Sequence, residues 1–256
     1  MRDPASVRLW LFDFDNTLAA LEPVVDWARS RIELEAYLRE AGVAAAIFTE
    51  FPRGNLLLYE ALRARLLDGM RPGLVRAHPA GADHANPDSA GERDGRGAAV
   101  MLRRASRIIE KYELAGAERA CPLRGAEQLL RALAARGIRA AIVTSNSSRT
   151  VQSWLRHNRL TETVGAIVGR DGGLALKPLP AMVHEALTRV GASAHEAVFV
   201  GDSEADAGAA RSARVSFYGI AAKPIACQRL RAAGALDVFA SPAALAQAFQ
   251  LAEACP

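Results

Sequence analysis

Two aspartates, Asp13 and Asp15, stand in "LWLFDFDNTLAAL", a run otherwise dominated by Leu, Trp and Phe. An ionised carboxylate taken into apolar surroundings without a partner is costly, so such groups protonate, pair or bind metal. An Asp-Asn pair closing a strand also makes an ordinary turn or helix cap, and this stretch alone does not separate the two readings. Three further polar clusters follow short apolar runs: Thr144, Ser145 and Asn146 after "IRAAIV", Lys177-Pro178 in "LALKPLP", and Asp202 and Asp206 in "VGDSEAD". Together these residue types suit attack on a phosphoryl group. An Asp13 carboxylate approaching a phosphate meets a repulsion of about 4 kcal/mol per charge pair at about 4 Å and an effective dielectric near 20, which cations must offset. Asp202 beside Asp13 offers hard oxygen ligands for Mg²⁺. Lys177 can bridge nucleophile and phosphate as a compact point charge. The Thr144 hydroxyl and the N–H groups of Ser145 and Asn146 can hold phosphoryl oxygens, unless Thr144 only caps a helix and the Ser145 hydroxyl takes its place. Asp15 can protonate the leaving oxygen and then activate water.

These clusters need a scaffold that brings them to one rim. From Pro122 onward, helical periodicity alternates with short apolar runs: "IRAAIV", "GAIVG", "AVFVG", "VSFYGI" and "DVFAS". With "RLWLF" near the N-terminus this predicts about six strands in an α/β parallel sheet covered by helices on both faces. Ligands of such sheets bind beyond the carboxyl ends of the strands, where all four clusters fall. Phe12 and Phe14 are then expected in the core, with Asp13 and Asp15 facing the site. Between Thr17 and Cys121 the pattern is helical, around Val24–Ala41, Leu56–Leu67 and Ala98–Leu114. The expected organisation is a Rossmann-like core of residues 1–19 and 122–256, interrupted by a helical cap over 20–121. The Gly-, Pro- and Asp-rich stretch at about 77–97 is expected to be a long mobile loop.

The ordered set "DFDNT", a Thr/Ser after the second strand, Lys-Pro and "GDSEAD" resembles the haloacid dehalogenase (HAD) superfamily, over about Leu9 to Leu251. Within it the chain looks like the phosphatases and phosphomutases that carry a helical cap between the first two motifs, with phosphoglycolate phosphatases near in motif pattern. The resemblance implies the HAD fold and an aspartyl-phosphate mechanism with Asp13 as nucleophile, Asp15 as general acid/base, and Lys177 and Thr144 as phosphate partners. It also implies Mg²⁺ held by Asp13, Asp202 and the backbone carbonyl of Asp15. Asn16 stands where many relatives have Gly, which bears on the local turn. Asp206 fits either a place next to the metal ligands or the favourable position of an acid in a helix's first turn.

The expected activity is Mg²⁺-dependent hydrolysis of a small phosphorylated metabolite. A phosphomutase uses the same core, and a non-catalytic module binding a phosphorylated ligand or protein is the alternative from another class. Dehalogenation needs neither Asp15 nor Asp202. Arg53, Arg103, Arg104 and Arg107 are candidates to meet an anionic leaving group, or ordinary exposed arginines. The formal net charge of +4 is carried by scattered arginines without a basic stripe, so no nucleic-acid partner is expected. No apolar run reaches the ~20 residues that span a bilayer, the N-terminus lacks a signal peptide's apolar core, and the three cysteines are far apart. A cytoplasmic monomer or homodimer is the expectation.

Overall fold

The computed structural model describes residues 7–67 and 87–251. They belong to two compact units, Met1–Val25 with Glu113–Pro256, and Asp26–Tyr112. The first is built on six parallel strands: β1 (Leu9–Phe12), β2 (Arg139–Val143), β3 (Ala166–Val168), β4 (Ala197–Gly201), β5 (Ser216–Ile220) and β6 (Val238–Phe239). Their order is β3-β2-β1-β4-β5-β6. β1 therefore lies between β2 and β4, where the strand order reverses direction and α/β sheets bind ligands. The polar residues that follow β1, β2 and β4 are neighbours because of this order alone.

Every residue of β1 and β4 is buried, which explains why these strands read as continuous apolar runs without alternation. Phe12 and Phe14 are both fully buried, as the sequence suggested. Phe14 packs edge-on against Trp154, and Trp10, Tyr218 and Phe239 converge on Phe249. Helices cover the sheet: α5 (Ala126–Ala135), α6 (Ser148–His157), α7 (Ala181–Val190), α8 (Glu204–Ser212), α9 (Pro224–Ala232) and α10 (Pro242–Ala248).

The second unit contains α1 (Trp27–Glu40), α2 (Ala46–Glu50), α3 (Asn55–Leu67) and most of α4 (Pro87–Ala117), and no strand among its described residues. Lys111 and Tyr112 of α4 both bond Glu33 of α1, and Asn55 of α3 donates to the Trp27 carbonyl. Ala20–Val25 and Glu113–Cys121 fall in the sheet unit rather than with the helical insertion. The Ala20 amide bonds the Cys121 carbonyl, Leu123 N–H bonds Leu18 O, and Trp154 Nε1 donates to Ala120 O. The loop expected over 77–97 is corrected in its second half, where α4 begins at Pro87; 77–86 lie outside the described residues. Pro is well suited to a first helical position. The buried stripe Ala98, Leu102, Ala105 and Ile109 further along anchors the helix, and propagating an existing helix is easier than nucleating one.

Candidate active site

Asp13 directly follows β1, and its N–H bonds the Val200 carbonyl, so the β1–β4 pairing holds its backbone. Its side chain is buried and meets the Lys177 ammonium, with Nζ 2.5 Å from Oδ1. The same Nζ lies 2.5 Å from Asp206 Oδ1 and donates to Val143 O at 3.1 Å. One cation thus ties together the ends of β1 and β2 and the first turn of α8. Burial alone would depress the lysine, but Asp13 and Asp206 outweigh it and hold its pKa above the ordinary lysine range.

The carboxylates of Asp13, Asp202 and Asp206 offer oxygens that all lie within 4.8 Å of one another. Burial pushes Asp13 up to about 7, with Lys177 opposing and Asp206 reinforcing the shift. Burial, joined by the charges of Asp13 and Asp206, pushes Asp202 up to about 8. Burial is the larger cause of both shifts, and three carboxylates share one lysine at this rim. A hard divalent cation fits that donor set.

Asp206 makes contacts on two sides. Its Oδ2 accepts from the backbone N–H and hydroxyl of Ser203 while its own N–H donates to Ser203 Oγ, a capping box that starts α8; its Oδ1 faces Lys177. Gly201 makes room for this, since a Cβ there would lie 2.6 Å from the Asp206 carboxyl. Asp15 is placed differently. Its Oδ1 accepts from the N–H groups of Leu21 and Glu22 at 2.9 and 3.0 Å, and its carboxylate is not in the close group. Burial pushes it up to about 6 against those two hydrogen bonds. Asn16 adopts φ 58°, a left-handed conformation that Asn and Gly tolerate.

After β2, the Thr144 hydroxyl donates to Asn146 Oδ1 and accepts from Asn146 N–H, both at 3.1 Å. Thr144 is not a helix cap: Ser147 caps α6, accepting from Thr150 N–H, and Ser145 and Asn146 precede the cap. Ser145 is half-buried, whereas Thr144 and Asn146 are buried. Sequence reasoning missed two residues under this loop, Glu113 of α4 and Arg170 after β3. They form an ion pair with side chains fully shielded from solvent. The available signal was a glutamate continuing the apolar Leu102, Ala105, Ile109 stripe. In the helical unit, Arg53, Arg103, Arg104 and Arg107 are exposed, and Arg104 stacks on Tyr37 at 4.9 Å from the ring centre. Among the described residues no helix is long and apolar enough to cross a membrane.

Comparison with known proteins agrees with this architecture. The phosphoglycolate phosphatase of Rhodospirillum rubrum is 36% identical over 121 residues, 46% of this chain and 49% of that protein. The chain therefore aligns with about half of that relative's length. The phosphoglycolate phosphatase of Pseudomonas putida is 27% identical over 213 residues, 83% of this chain and 69% of that one. A hydrolase of known structure from Pseudomonas syringae shares the fold with a TM-score of 0.56 at 22% identity, over 96% of this chain and 100% of that chain. The family model for haloacid dehalogenase-like hydrolases matches residues 7–214. With its acid-lined rim on a β3-β2-β1-β4-β5-β6 parallel sheet, the chain belongs to the haloacid dehalogenase-like hydrolases.

Proposed function

We propose that the chain is a Mg²⁺-dependent phosphatase that hydrolyses a small phosphate monoester through a phosphoryl group carried on Asp13. The observation that carries this reading is the Lys177 ammonium held between Asp13 and Asp206, with Asp202 alongside. A carboxylate meant to attack an anion needs a cation in contact with it, and a buried Lys–Asp pair with no such task would be a costly ornament. In the first step an Asp13 oxygen forms a bond to phosphorus as the bond to the ester oxygen breaks. Asp15 gives its proton to that oxygen, and the upward-shifted carboxyl makes a protonated Asp15 accessible near neutral pH. In the second step water attacks phosphorus, Asp15 takes its proton, and the Asp13–phosphorus bond breaks to release phosphate. Thr144, Ser145 and Asn146 would hold the phosphoryl oxygens, with Lys177 neutralising charge between them and Asp13. Mg²⁺ held by Asp13 and Asp202, near Asp206 and with the Asp15 carbonyl implied by family resemblance, would supply positive charge for the anionic substrate.

The helical unit would serve as the cap that selects the leaving group, with Arg53, Arg103, Arg104 and Arg107 as its exposed cations. The names of the relatives make 2-phosphoglycolate the first physiological ester to try. The test is hydrolysis of p-nitrophenyl phosphate and 2-phosphoglycolate in Mg²⁺, in chelator, and by Asp13→Asn. Turnover that needs Mg²⁺ and disappears in the variant is the expected result. A folded, Mg²⁺-supplied protein inert toward both esters and a wider phosphate-ester panel overturns the proposal.

A further inference from the structure

The buried ion pair of Glu113 and Arg170 lies outside the chemistry just described, yet its bonds fall on the loop assigned to the phosphate. Glu113 Oε1 accepts from Asn146 Nδ2 at 3.0 Å and Arg170 Nη1 at 2.9 Å. Its Oε2 accepts from Ser147 N–H at 3.1 Å, Thr150 Oγ1 at 3.3 Å and Arg170 Nη2 at 3.1 Å. Arg170 extends the grip: Nη1 donates to Ser145 O at 2.7 Å, and its own N–H donates to Asn146 O at 2.9 Å. Next to it, Asp171 accepts from Ser148 N–H at 2.7 Å.

We propose that Glu113 is a positioning residue: paired with Arg170, it holds the Thr144–Ser147 loop in the shape that receives the phosphoryl oxygens. The inference rests on the phosphatase reading for its purpose, but its geometry is independent of it. A buried ion pair is a poor device for stability alone, because well-packed apolar residues serve as well or better. What this pair adds is direction. A carboxylate only accepts, so Asn146 must turn its Nδ2 toward Glu113 and its Oδ1 toward the Thr144 hydroxyl. The guanidinium only donates, so the Ser145 carbonyl is drawn to it, while the Arg170 backbone N–H holds the Asn146 carbonyl. The Ser145 and Asn146 carbonyls and the Ser147 N–H are thereby committed on the Glu113–Arg170 side, while Ser145 remains the loop's half-exposed residue. Losing such definition by about 1 Å is enough to cost about 10²-fold in a reaction that depends on placement.

The experiment compares wild type with Glu113→Gln, which keeps the shape and loses the charge. The second variant, Glu113→Leu with Arg170→Met, removes both charges and strands neither. Three readouts are taken on the full-length protein: hydrogen exchange at the Ser147 amide, the dissociation constant for inorganic phosphate by calorimetry in Mg²⁺, and KM against kcat for p-nitrophenyl phosphate. Expected are exchange at Ser147 at least tenfold faster with sheet amides of β1 and β4 unchanged, and phosphate binding at least tenfold weaker. KM should rise by a similar factor, while the Mg²⁺ concentration giving half activation stays within twofold. Folded variants with wild-type exchange at Ser147 and phosphate affinity within twofold overturn the proposal. So does failure of both variants to fold at any temperature where the wild type is folded, which would make the pair a stability element only. A wild type inert toward every ester, with Ser147 exchange still accelerated in the variants, would instead refute the phosphatase reading and leave the positioning role standing.

Discussion

Replacing Lys177 with methionine would remove the one cation held between Asp13 and Asp206 while keeping most of the side-chain volume. All three side chains are shielded, at 5% exposure for Lys177, 9% for Asp13 and 1% for Asp206, so water does little to screen what remains. Two carboxylates at the 4.8 Å limit of the cluster repel by about 3.5 kcal/mol at an effective dielectric near 20. Stripping a buried charge of its partner typically costs about 3–5 kcal/mol, which agrees. For a chain of this size about 1 kcal/mol moves Tm by about 2–4 °C, so Lys177→Met should melt about 7–14 °C lower at pH 8 in chelator. The pH dependence carries the sharper test. Asp13 at about 7 and Asp202 at about 8 are raised above the ordinary carboxyl value of 3.8, so the folded state holds more protons than the unfolded state between those limits. Stability contributed by that uptake grows as pH falls from about 8 toward 4, and it is lost as pH rises. Without Lys177 both carboxyls shift further up, so the deficit should shrink steadily as the melts are taken from pH 8 to pH 5. Calorimetric melting across that range, with EDTA throughout, decides the matter. A deficit below about 1 kcal/mol, or one as large at pH 5 as at pH 8, would refute the electrostatic account.

Other perturbations have equally definite outcomes. Metal binding requires ionised ligands, so Mg²⁺ should raise the wild-type Tm more at pH 8 than at pH 6; equal increments would contradict the acidic cluster as its site. Gly201→Ala places a Cβ 2.6 Å from the Asp206 carboxyl and should cost about 1–3 kcal/mol in urea unfolding. It should also raise the Mg²⁺ concentration needed for activity, and an unchanged protein would show the close approach to be idle. Asn16→Gly should leave urea stability nearly unchanged, whereas Asn16→Val should cost about 1–2 kcal/mol because φ is 58°. Equal effects of the two would remove the backbone explanation.

Much of this arrangement was legible along the chain. Asp13, Thr144 and Asp202 each stand immediately after a short apolar run, and burial of such runs as parallel strands forces the next residue to the carboxyl rim. Asn16 was read as bearing on the local turn, and its backbone there is left-handed. The start of α4 was not legible: a stretch of Gly, Pro and Asp has the composition of a loop, and the packed apolar stripe that carries the helix lies beyond it. Nor was the Glu113–Arg170 pair, whose partners are 57 residues apart and of commonplace type.

The sequence by itself determined the parallel α/β architecture and the set of polar groups presented at its rim, because hydrophobic patterning is a local property that every window of the chain displays. Only the tertiary structure decided which groups act on one another. It put Asp206 with Asp13 and Asp202 within 4.8 Å, turned the Asp15 carboxylate to the Leu21 and Glu22 amides, and aimed Asn146 through Glu113. Coulomb forces and hydrogen bonds depend on distance and direction in space, to within an ångström or so, and no spacing along a chain encodes those.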